Sequence, residues 1–235
     1  MNATAQNQFQ GREMLLVHDM LRREVALLPG LVGGVAAGDH ARAQTVGDHI
    51  EGVIAVLHHH HLGEDEHLWP LLLDRCGDSA AGLMRQMQAQ HQEVADRVHA
   101  VGEALGDWRG QVTVASDSAL AQTLDGLLPP LRQHLSMEES HVIPLMQRHI
   151  TTAEWNKAVR TGAASADREQ LPLGLGMLMY ERDPEVIDQA IANMPAHSRP
   201  HIRQLAAQAF AAHSMQVHGI PTPPRSSELQ PEEHT

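Results

Sequence analysis

Residues 60–70 read His-His-Leu-Gly-Glu-Asp-Glu-His-Leu-Trp-Pro, and residues 134–144, 74 positions further on, read His-Leu-Ser-Met-Glu-Glu-Ser-His-Val-Ile-Pro. Each stretch has a glutamate four residues after its first histidine, a second acidic residue next, and another histidine seven residues after the first. A lone histidine precedes each stretch, and these two, His18 and His91, are 73 positions apart. The first 150 residues therefore look like a duplicated set of metal ligands, two histidines and one carboxylate in each half.

Apolar residues recur at steps of three and four in four segments, which span residues 14–28, 46–71, 84–105 and 120–145. Such spacing keeps one stripe on one face of a helix. The sequence therefore predicts an all-α protein, an antiparallel four-helix bundle with additional C-terminal helices. We expect the first helix to end at Pro29, the third to stop before Gly106, and Pro129-Pro130 to kink or restart the fourth.

Composition supports helices and excludes several classes of partner. Aromatic residues make up only 3% of the chain, and good helix formers dominate. The formal net charge is −12 and no run of Lys or Arg forms a basic stripe, so we expect neither nucleic acid nor a membrane surface as partner. Cys76 is the only cysteine, which excludes a disulfide within the chain and a thiolate metal cluster. The polar N-terminus and the lack of a long apolar segment predict a cytoplasmic protein.

The same reading divides the chain into four parts. We expect a disordered tail over residues 1–11, the bundle over 12–150, a helical extension over 151–218, and a second disordered tail over 219–235. The extension resembles nothing that can be tied to chemistry.

Six polar residues occupy stripe positions that require a buried side chain: His18, His60, Glu64, His91, His134 and Glu138. A buried unpaired carboxylate costs several kcal/mol, which is large against a net domain stability of roughly 5–15 kcal/mol, so the six groups need a neutralising partner. A pair of cations fits, bridged by the two glutamates, with two histidines on each ion. Mixed imidazole and carboxylate ligation with open positions favours iron over manganese or zinc.

These residues resemble the hemerythrin-like, or HHE, domain, closest to its actinobacterial-type members. That family has a lone His on helix one, H-x-x-x-E on helix two, His on helix three, and H-x-x-x-E or H-x-x-x-x-D on helix four. The resemblance spans about residues 11 to 150, and Leu68-Trp69-Pro70 is similar to the Leu-Phe-Pro that follows the family motif. It implies an oxo- or hydroxo-bridged pair of iron ions, held by the six residues named above.

One departure from the family bears on function. Oxygen-carrying hemerythrins have a further histidine four residues after the helix-three ligand, and this chain has Ala95 there. We therefore expect a nearly symmetric, more open centre that binds and turns over hydrogen peroxide or nitric oxide, with catalase-like, peroxidase-like or NO-reducing activity. The redox partner is unknown. The alternative is a sensor or store of O2, NO or iron without turnover, and a helical module without metal is a third interpretation.

Several residues have simpler interpretations. The steps place His67 and Leu71, and likewise His141 and Leu145, on the buried faces beyond the two glutamates. His67 and His141 also match the Glu-x-x-His spacing of ferritin-like bundles, in which they would be ligands. Those bundles need further glutamates where this chain has His18 and His91, so His67 and His141 are kept as candidates for orienting a ligand. Asp65 and Glu139 point off the face, where each would orient a ligand or meet solvent. His58, His59 and His61 are read as a solvated run, and these are read as surface residues: His40, His49, His99, His149, His197, His201, His213 and His218.

Overall fold

The computed structural model describes residues 8–164, 170–194 and 196–229. Its α-helices are α1 Met14–Gly33, α2 His40–Gly63, α3 Trp69–Cys76, α4 Asp78–Gly110, α5 Val114–Met137, α6 Ile143–His149, α7 Thr152–Ala164, α8 Leu171–Met179, α9 Pro184–Asn193 and α10 Ile202–His218. Two π-helical turns, π1 Glu64–Leu68 and π2 Glu138–Val142, join α2 to α3 and α5 to α6. The all-α prediction is confirmed, since over the described ranges the only extended pairing is one isolated bridge between Gln8 and Thr151.

Four long helices form the bundle that positions the polar residues. Each of α1, α2, α4 and α5 contacts two others, in the order α1, α2, α4, α5 and back to α1. Their facing sides bury leucine, valine and isoleucine, as the stripes predicted. The Asp39 carboxylate caps the start of α2 by accepting the Arg42 backbone N–H at 3.0 Å. The antiparallel direction of neighbouring helices, which short connections favour, stays a prediction.

Two predicted helix boundaries are wrong, since the first helix continues through Pro29 to Gly33 and the third runs past Gly106 to Gly110. The fourth helix continues through Pro129-Pro130 without restarting, and the predicted kink there stays a prediction. A proline in a helix removes one N–H donor and crowds the preceding turn. Apolar side chains on both sides of each proline are fully buried, so packing outweighs that local cost.

The π-helical turn π1 changes which side chains face inward after Glu64. A π turn closes its hydrogen bonds one residue later than an α turn, so it adds one residue to the spacing. The predicted inward positions His67 and Leu71 are therefore only half-buried, whereas Leu68 and Leu72 are 2% and 0% exposed.

The turn π2 does the same after Glu138. His141 is exposed and Leu145 half-buried, whereas Val142 and Met146 are both 0% exposed. The repeat seen in the sequence is thus also a repeat in backbone geometry: each glutamate begins a π turn.

The C-terminal helices pack on the bundle through α8 and α10. These two contact each other closely, because a Cβ on Gly176 would lie 2.2 Å from the Ala206 carbonyl oxygen. Arg23 of α1 is 0% exposed and links the bundle to the C-terminal segment. It donates hydrogen bonds to the Met177 carbonyl at 3.0 Å and to the Glu181 carboxylate. The predicted domain boundaries stay predictions.

The described parts of both predicted tails contact the helices. Phe9 is 3% exposed and packs against Trp155 in a tilted arrangement, with ring centroids 4.6 Å apart. At the other end, the Tyr180 hydroxyl donates to the Pro223 carbonyl at 2.7 Å. Residues 1–7 and 230–235 of these tails lie outside the described residues.

The histidines interpreted as surface residues differ in how far they are exposed. His40, His99 and His201 are exposed, as predicted. The prediction is wrong for His49, which is 4% exposed, and for His218, whose side chain is 6% exposed. His149 and His213 are half-buried, and the surroundings of the His197 side chain lie outside what the structure describes. No helix in the described part of the chain combines the length and the apolar character needed to cross a membrane.

Candidate metal centre

The structure brings the six predicted residues into one buried cluster. Each bundle helix supplies part of it: His18 from α1, His60 and Glu64 from α2 and the start of π1, His91 from α4, His134 and Glu138 from α5 and the start of π2. All six side chains are at most 8% exposed. Residues 120 positions apart in sequence, such as His18 and Glu138, thus share one interior site.

Glu64 lies between two histidines of different helices. Its Oε1 atom is 3.3 Å from Nε2 of His60, and its Oε2 atom is 3.4 Å from Nε2 of His91. A carboxylate with one oxygen toward each of two imidazoles is placed to bridge two cations.

Glu138 has the equivalent position in the second half. Its Oε2 atom is 3.3 Å from Nε2 of His18 and 3.7 Å from Nε2 of His134. The two glutamates therefore connect all four predicted histidines.

A seventh residue, His61, belongs to the cluster and was interpreted wrongly as solvated. It is 8% exposed, and its ring stacks on His91 with centroids 4.1 Å apart and meets the edge of His134 at 4.8 Å. A signal was present: His61 follows Leu57 by four residues and precedes Glu64 by three, which also satisfies the helical stripe. His58 and His59 are exposed, as predicted.

With His61 included, the ligand atoms divide into two groups, each with all its atoms within 4.8 Å of one another. One group contains His61, His91 and His134, and the other contains His18, His60, Glu64 and Glu138. The five histidines of the cluster thus fall into groups of three and two, whereas the prediction of two histidines per ion did not include His61. Ala95 leaves no gap in the site, because it is exposed and His61 supplies the additional imidazole.

The unpaired atoms of the cluster test whether cations fit there. Five imidazole nitrogens and four carboxylate oxygens are buried without a hydrogen-bond partner among the described residues: Nε2 of His18, His60, His61, His91 and His134, and both carboxylate oxygens of Glu64 and Glu138. Buried polar atoms are almost always paired, and leaving so many unpaired at one point is very costly. Nitrogen and oxygen donors of this kind are those that bind first-row transition metals.

Negative charges on both buried glutamates would repel each other unless a cation lay between them. Burial and the neighbouring Glu138 carboxylate raise the pKa of Glu64 well above its ordinary value. For Glu138, burial raises the pKa, but His18, His60 and His134 together lower it by more, so the net direction is downward. Two carboxylates in one dry site ionise together only when positive charge compensates both.

The histidines are mostly held in the neutral form that binds metal. Burial lowers the pKa of His60 to about 3 and that of His134 to about 4, and it lowers the pKa of His61 well below its ordinary value. His18 differs: burial lowers its pKa, but Glu138 and Glu139 together raise it by more, so the net direction is upward. A neutral imidazole offers a lone pair, so at least three of these rings are ready to act as ligands near neutral pH.

Acidic residues orient two of the rings from behind. The Nδ1 atom of His18 is 2.8 Å from Oε1 of Glu139, and Nδ1 of His91 is 3.1 Å from both carboxylate oxygens of Asp65. Arg22 donates to the same Glu139 oxygen at 2.7 Å. A carboxylate at Nδ1 keeps the proton there and directs the Nε2 lone pair inward. The prediction that Asp65 and Glu139 orient a ligand is thus supported by geometry.

His67 and His141 do not join the cluster. The nearest acid to His67 is Glu66 at 3.9 Å, and His141 is exposed with Nδ1 3.2 Å from the Met137 carbonyl. The ferritin-like spacing is therefore wrong, because each π turn rotates these histidines away from the interior.

Comparison with known proteins gives one match. The family model described as "Hemerythrin HHE cation binding domain" matches residues 12–146, more than half of the chain. No curated protein and no solved structure gives a significant match.

Proposed function

The chain belongs to the hemerythrin HHE cation-binding family, and from that premise we propose that it is a non-haem di-iron protein that binds and turns over hydrogen peroxide or nitric oxide. The observation that supports this most is the set of buried, unpaired imidazole and carboxylate atoms that face one another. Cation binding follows from the family; the identity of the metal and the turnover are the proposed part.

We assign the residues to the two ions by the groups that they form. His61, His91 and His134 would hold one iron and His18 and His60 the other, with Glu64 and Glu138 as carboxylate ligands close to both groups. Imidazole with carboxylate, and without cysteine, suits iron in a site that keeps open positions. The only cysteine, Cys76, is not in any described group of candidate ligands.

The unequal division of histidines indicates where a small molecule binds. A metal ion held at His18 and His60 would have one imidazole fewer than its neighbour, so we propose that this side of the site would keep the open position for peroxide or NO. When bound, the iron pair supplies reversible one-electron redox chemistry. Dismutation of peroxide needs no outside reductant: one peroxide is oxidised to O2 while another, with two protons, is reduced to two waters.

The chain offers a proton-holding group next to that open position. His18 keeps a proton on Nδ1 by donating it to Glu139, whose side chain is 27% exposed and also accepts from Arg22. This hydrogen-bonded series links the buried ring to the surface, and it fixes the ring while water is excluded from the cluster.

The test is turnover by the iron-loaded full-length protein. We expect many peroxides consumed per iron pair, with one O2 released for every two peroxides, and no consumption by the zinc-loaded protein. A parallel assay without air supplies NO and a reductant and measures N2O. His99→Ala, a change at an exposed histidine, is the matched control and retains full activity. Consumption of a single equivalent in both assays contradicts catalysis.

His61 favours a second function, reversible binding of O2 or NO without turnover. With His61 the cluster has as many histidines as the site of oxygen-carrying hemerythrins, although Ala95 stands at the usual position of the additional histidine. A sensor or carrier of this type would take up one ligand per site and release it unchanged. Repeated oxygenation and deoxygenation followed by absorbance, with no peroxide or NO consumed, would establish this function instead.

A further inference from the structure

A second buried group of candidate ligands lies apart from the iron site. Glu24 of α1 is 0% exposed, His49 of α2 is 4% exposed, and the side chain of His218, the last residue of α10, is 6% exposed. Their ligand atoms all lie within 4.8 Å of one another. The group joins two bundle helices to the C-terminal helix, and neither the family match nor the proposed function accounts for it.

The geometry aims the side chains at a common point. Oε2 of Glu24 is 3.3 Å from Nε2 of His49 and 3.7 Å from Nε2 of His218. Neither Oε2 of Glu24 nor Nε2 of His49 has a hydrogen-bond partner among the described residues. An unpaired carboxylate oxygen and imidazole nitrogen in a dry interior need a shared partner.

The other carboxylate oxygen is already occupied, which leaves Oε2 for a ligand. Arg23 donates to Oε1 of Glu24 from Nε at 2.9 Å and from Nη2 at 2.7 Å. Arg23 is itself paired with Glu181, so its positive charge is shared between two carboxylates. Glu24 therefore keeps negative charge on the oxygen that faces the two histidines.

A fourth residue fixes the ring of His49. Nε2 of His213 is 3.0 Å from Nδ1 of His49. When Nδ1 of His49 carries the proton and donates it to His213, the Nε2 lone pair of His49 faces Glu24. Metal-binding histidines show the same arrangement, with an acceptor behind the ring.

We propose that Glu24, His49 and His218 bind a single divalent first-row transition-metal ion, with Zn²⁺ as the probe, and that this ion fastens the end of α10 to the bundle. Two imidazoles and one carboxylate are a ligand set that holds Zn²⁺ or Fe²⁺ with one or more positions left for water. The proposal does not depend on iron or turnover at the first site. The competing explanation is an ion pair in which protonated histidines neutralise Glu24 with no metal.

The experiment counts metal ions in the full-length protein. Metal-free wild type is titrated with Co²⁺, whose visible absorption reports imidazole ligation, and with Zn²⁺ in competition. We expect three ions per wild-type chain, and two in each of His218→Ala and Glu24→Gln, which keeps an oxygen for Arg23. The exposed His99→Ala variant retains three.

A variant of the first site separates the two proposals. His134→Ala combined with Glu138→Ala should lose the iron-site ions and retain the one at Glu24, His49 and His218. Circular dichroism confirms that each variant is folded before its metal content is compared. If the metal content of folded His218→Ala and Glu24→Gln equals that of wild type, the site is an ion pair and the proposal is wrong. A loss of ions in the double variant alone supports only the first site.

Discussion

The ring of His61 lies nearly parallel to the ring of His91, with centroids 4.1 Å apart and planes inclined by 14°. Both Nε2 atoms are buried and unpaired among the described residues. Ligand atoms of these two rings and of His134 all lie within 4.8 Å of one another, so the three imidazoles form a group that could hold one metal ion. The additional histidine thus comes from α2, one residue after the predicted ligand His60, rather than from α4.

Replacing His61 by alanine should remove metal from one position only. We expect the iron content of His61→Ala to fall from two toward one per chain, because the three-histidine position loses a ligand while His18 and His60 are untouched. Elemental analysis and the electronic spectrum measure this. His59→Ala, at an exposed neighbour in the same histidine run, is the control. If His61→Ala kept two irons and an unchanged spectrum, His61 would have a structural role and would not be a metal ligand.

The acids behind His18 and His91 should set metal affinity without contributing ligands. Asp65→Asn and Glu139→Gln keep the shape of the side chain and remove its charge, so the imidazole becomes a weaker donor. We expect metal affinity to fall roughly 10–100-fold in each variant. Competition with a chromophoric chelator measures it. Glu66→Gln, next to Asp65 and 56% exposed in its side chain, should bind as wild type does.

The helices and six of the seven inward residues were predictable because one physical pattern governs both. Steps of three and four residues require a buried stripe, and a histidine or glutamate on such a stripe requires a partner. The two repeated motifs, at residues 60–70 and 134–144, then indicated a helical bundle with one shared site in its interior. His61 was missed because the stripe admits both i+3 and i+4 positions after Leu57, and only packing decides between them.

The π turns and the C-terminal contacts were not predictable in the same way. A π turn gives no visible signal in the pattern of apolar residues. It nevertheless shifts every inward-facing position after Glu64 by one residue toward the C-terminus. His49 and His218 are 169 positions apart, and nothing local in either segment shows that they meet. Such contacts depend on which helix surfaces pack together across the fold. The spacing of apolar residues within one helix does not show which other helix it packs against.

Glu64→Gln should change stability in opposite directions with and without metal. In the metal-free protein the carboxylate is buried against Glu138, so an uncharged amide should raise the free energy of unfolding by about 1–3 kcal/mol. With metal bound, Glu64→Gln removes a bridging ligand and should lower the free energy of unfolding. Urea unfolding with chelator and with iron measures both. A shift of the same sign under both conditions would show that Glu64 does not bind metal; exposed Glu66→Gln should shift neither.

The ion pair between Arg75 and Glu154, which belongs to neither candidate metal site, gives a pH-dependent prediction. Arg75 holds the pKa of Glu154 at about 2, below the ordinary 4.5. A lowered folded-state pKa contributes stability that is present above pH 4.5 and is lost as pH falls toward 2. Glu154→Gln should therefore cost about 0.5–1 kcal/mol at pH 7, since the pair is partly solvated, and progressively less below pH 4.5. Urea unfolding at pH 7, 5.5 and 3.5 measures the difference, and a constant difference would rule out the ionic contribution.

Deleting Glu66 tests the role of the π turn. The turn places one additional residue between Glu64 and the buried Leu68, so removing an exposed residue from it yields an uninterrupted α-helix with Leu68 three residues after Glu64, still inward. We expect the deletion variant to fold with nearly the wild-type melting temperature. We also expect it to bind metal more weakly, because the widened backbone that sets Glu64 and Asp65 is lost.

Deleting Asp96 is the matched control, since it removes an exposed acid from the ordinary α-helical interior of α4. There the remaining residues rotate by about 100° relative to the core, and Val101 and Leu105 turn away from it. This variant should unfold or melt far below wild type, as measured by circular dichroism. Equal tolerance of the two deletions would mean that burial does not fix the helix register. If both deletion variants unfolded, the additional residue of the π turn would be required for folding.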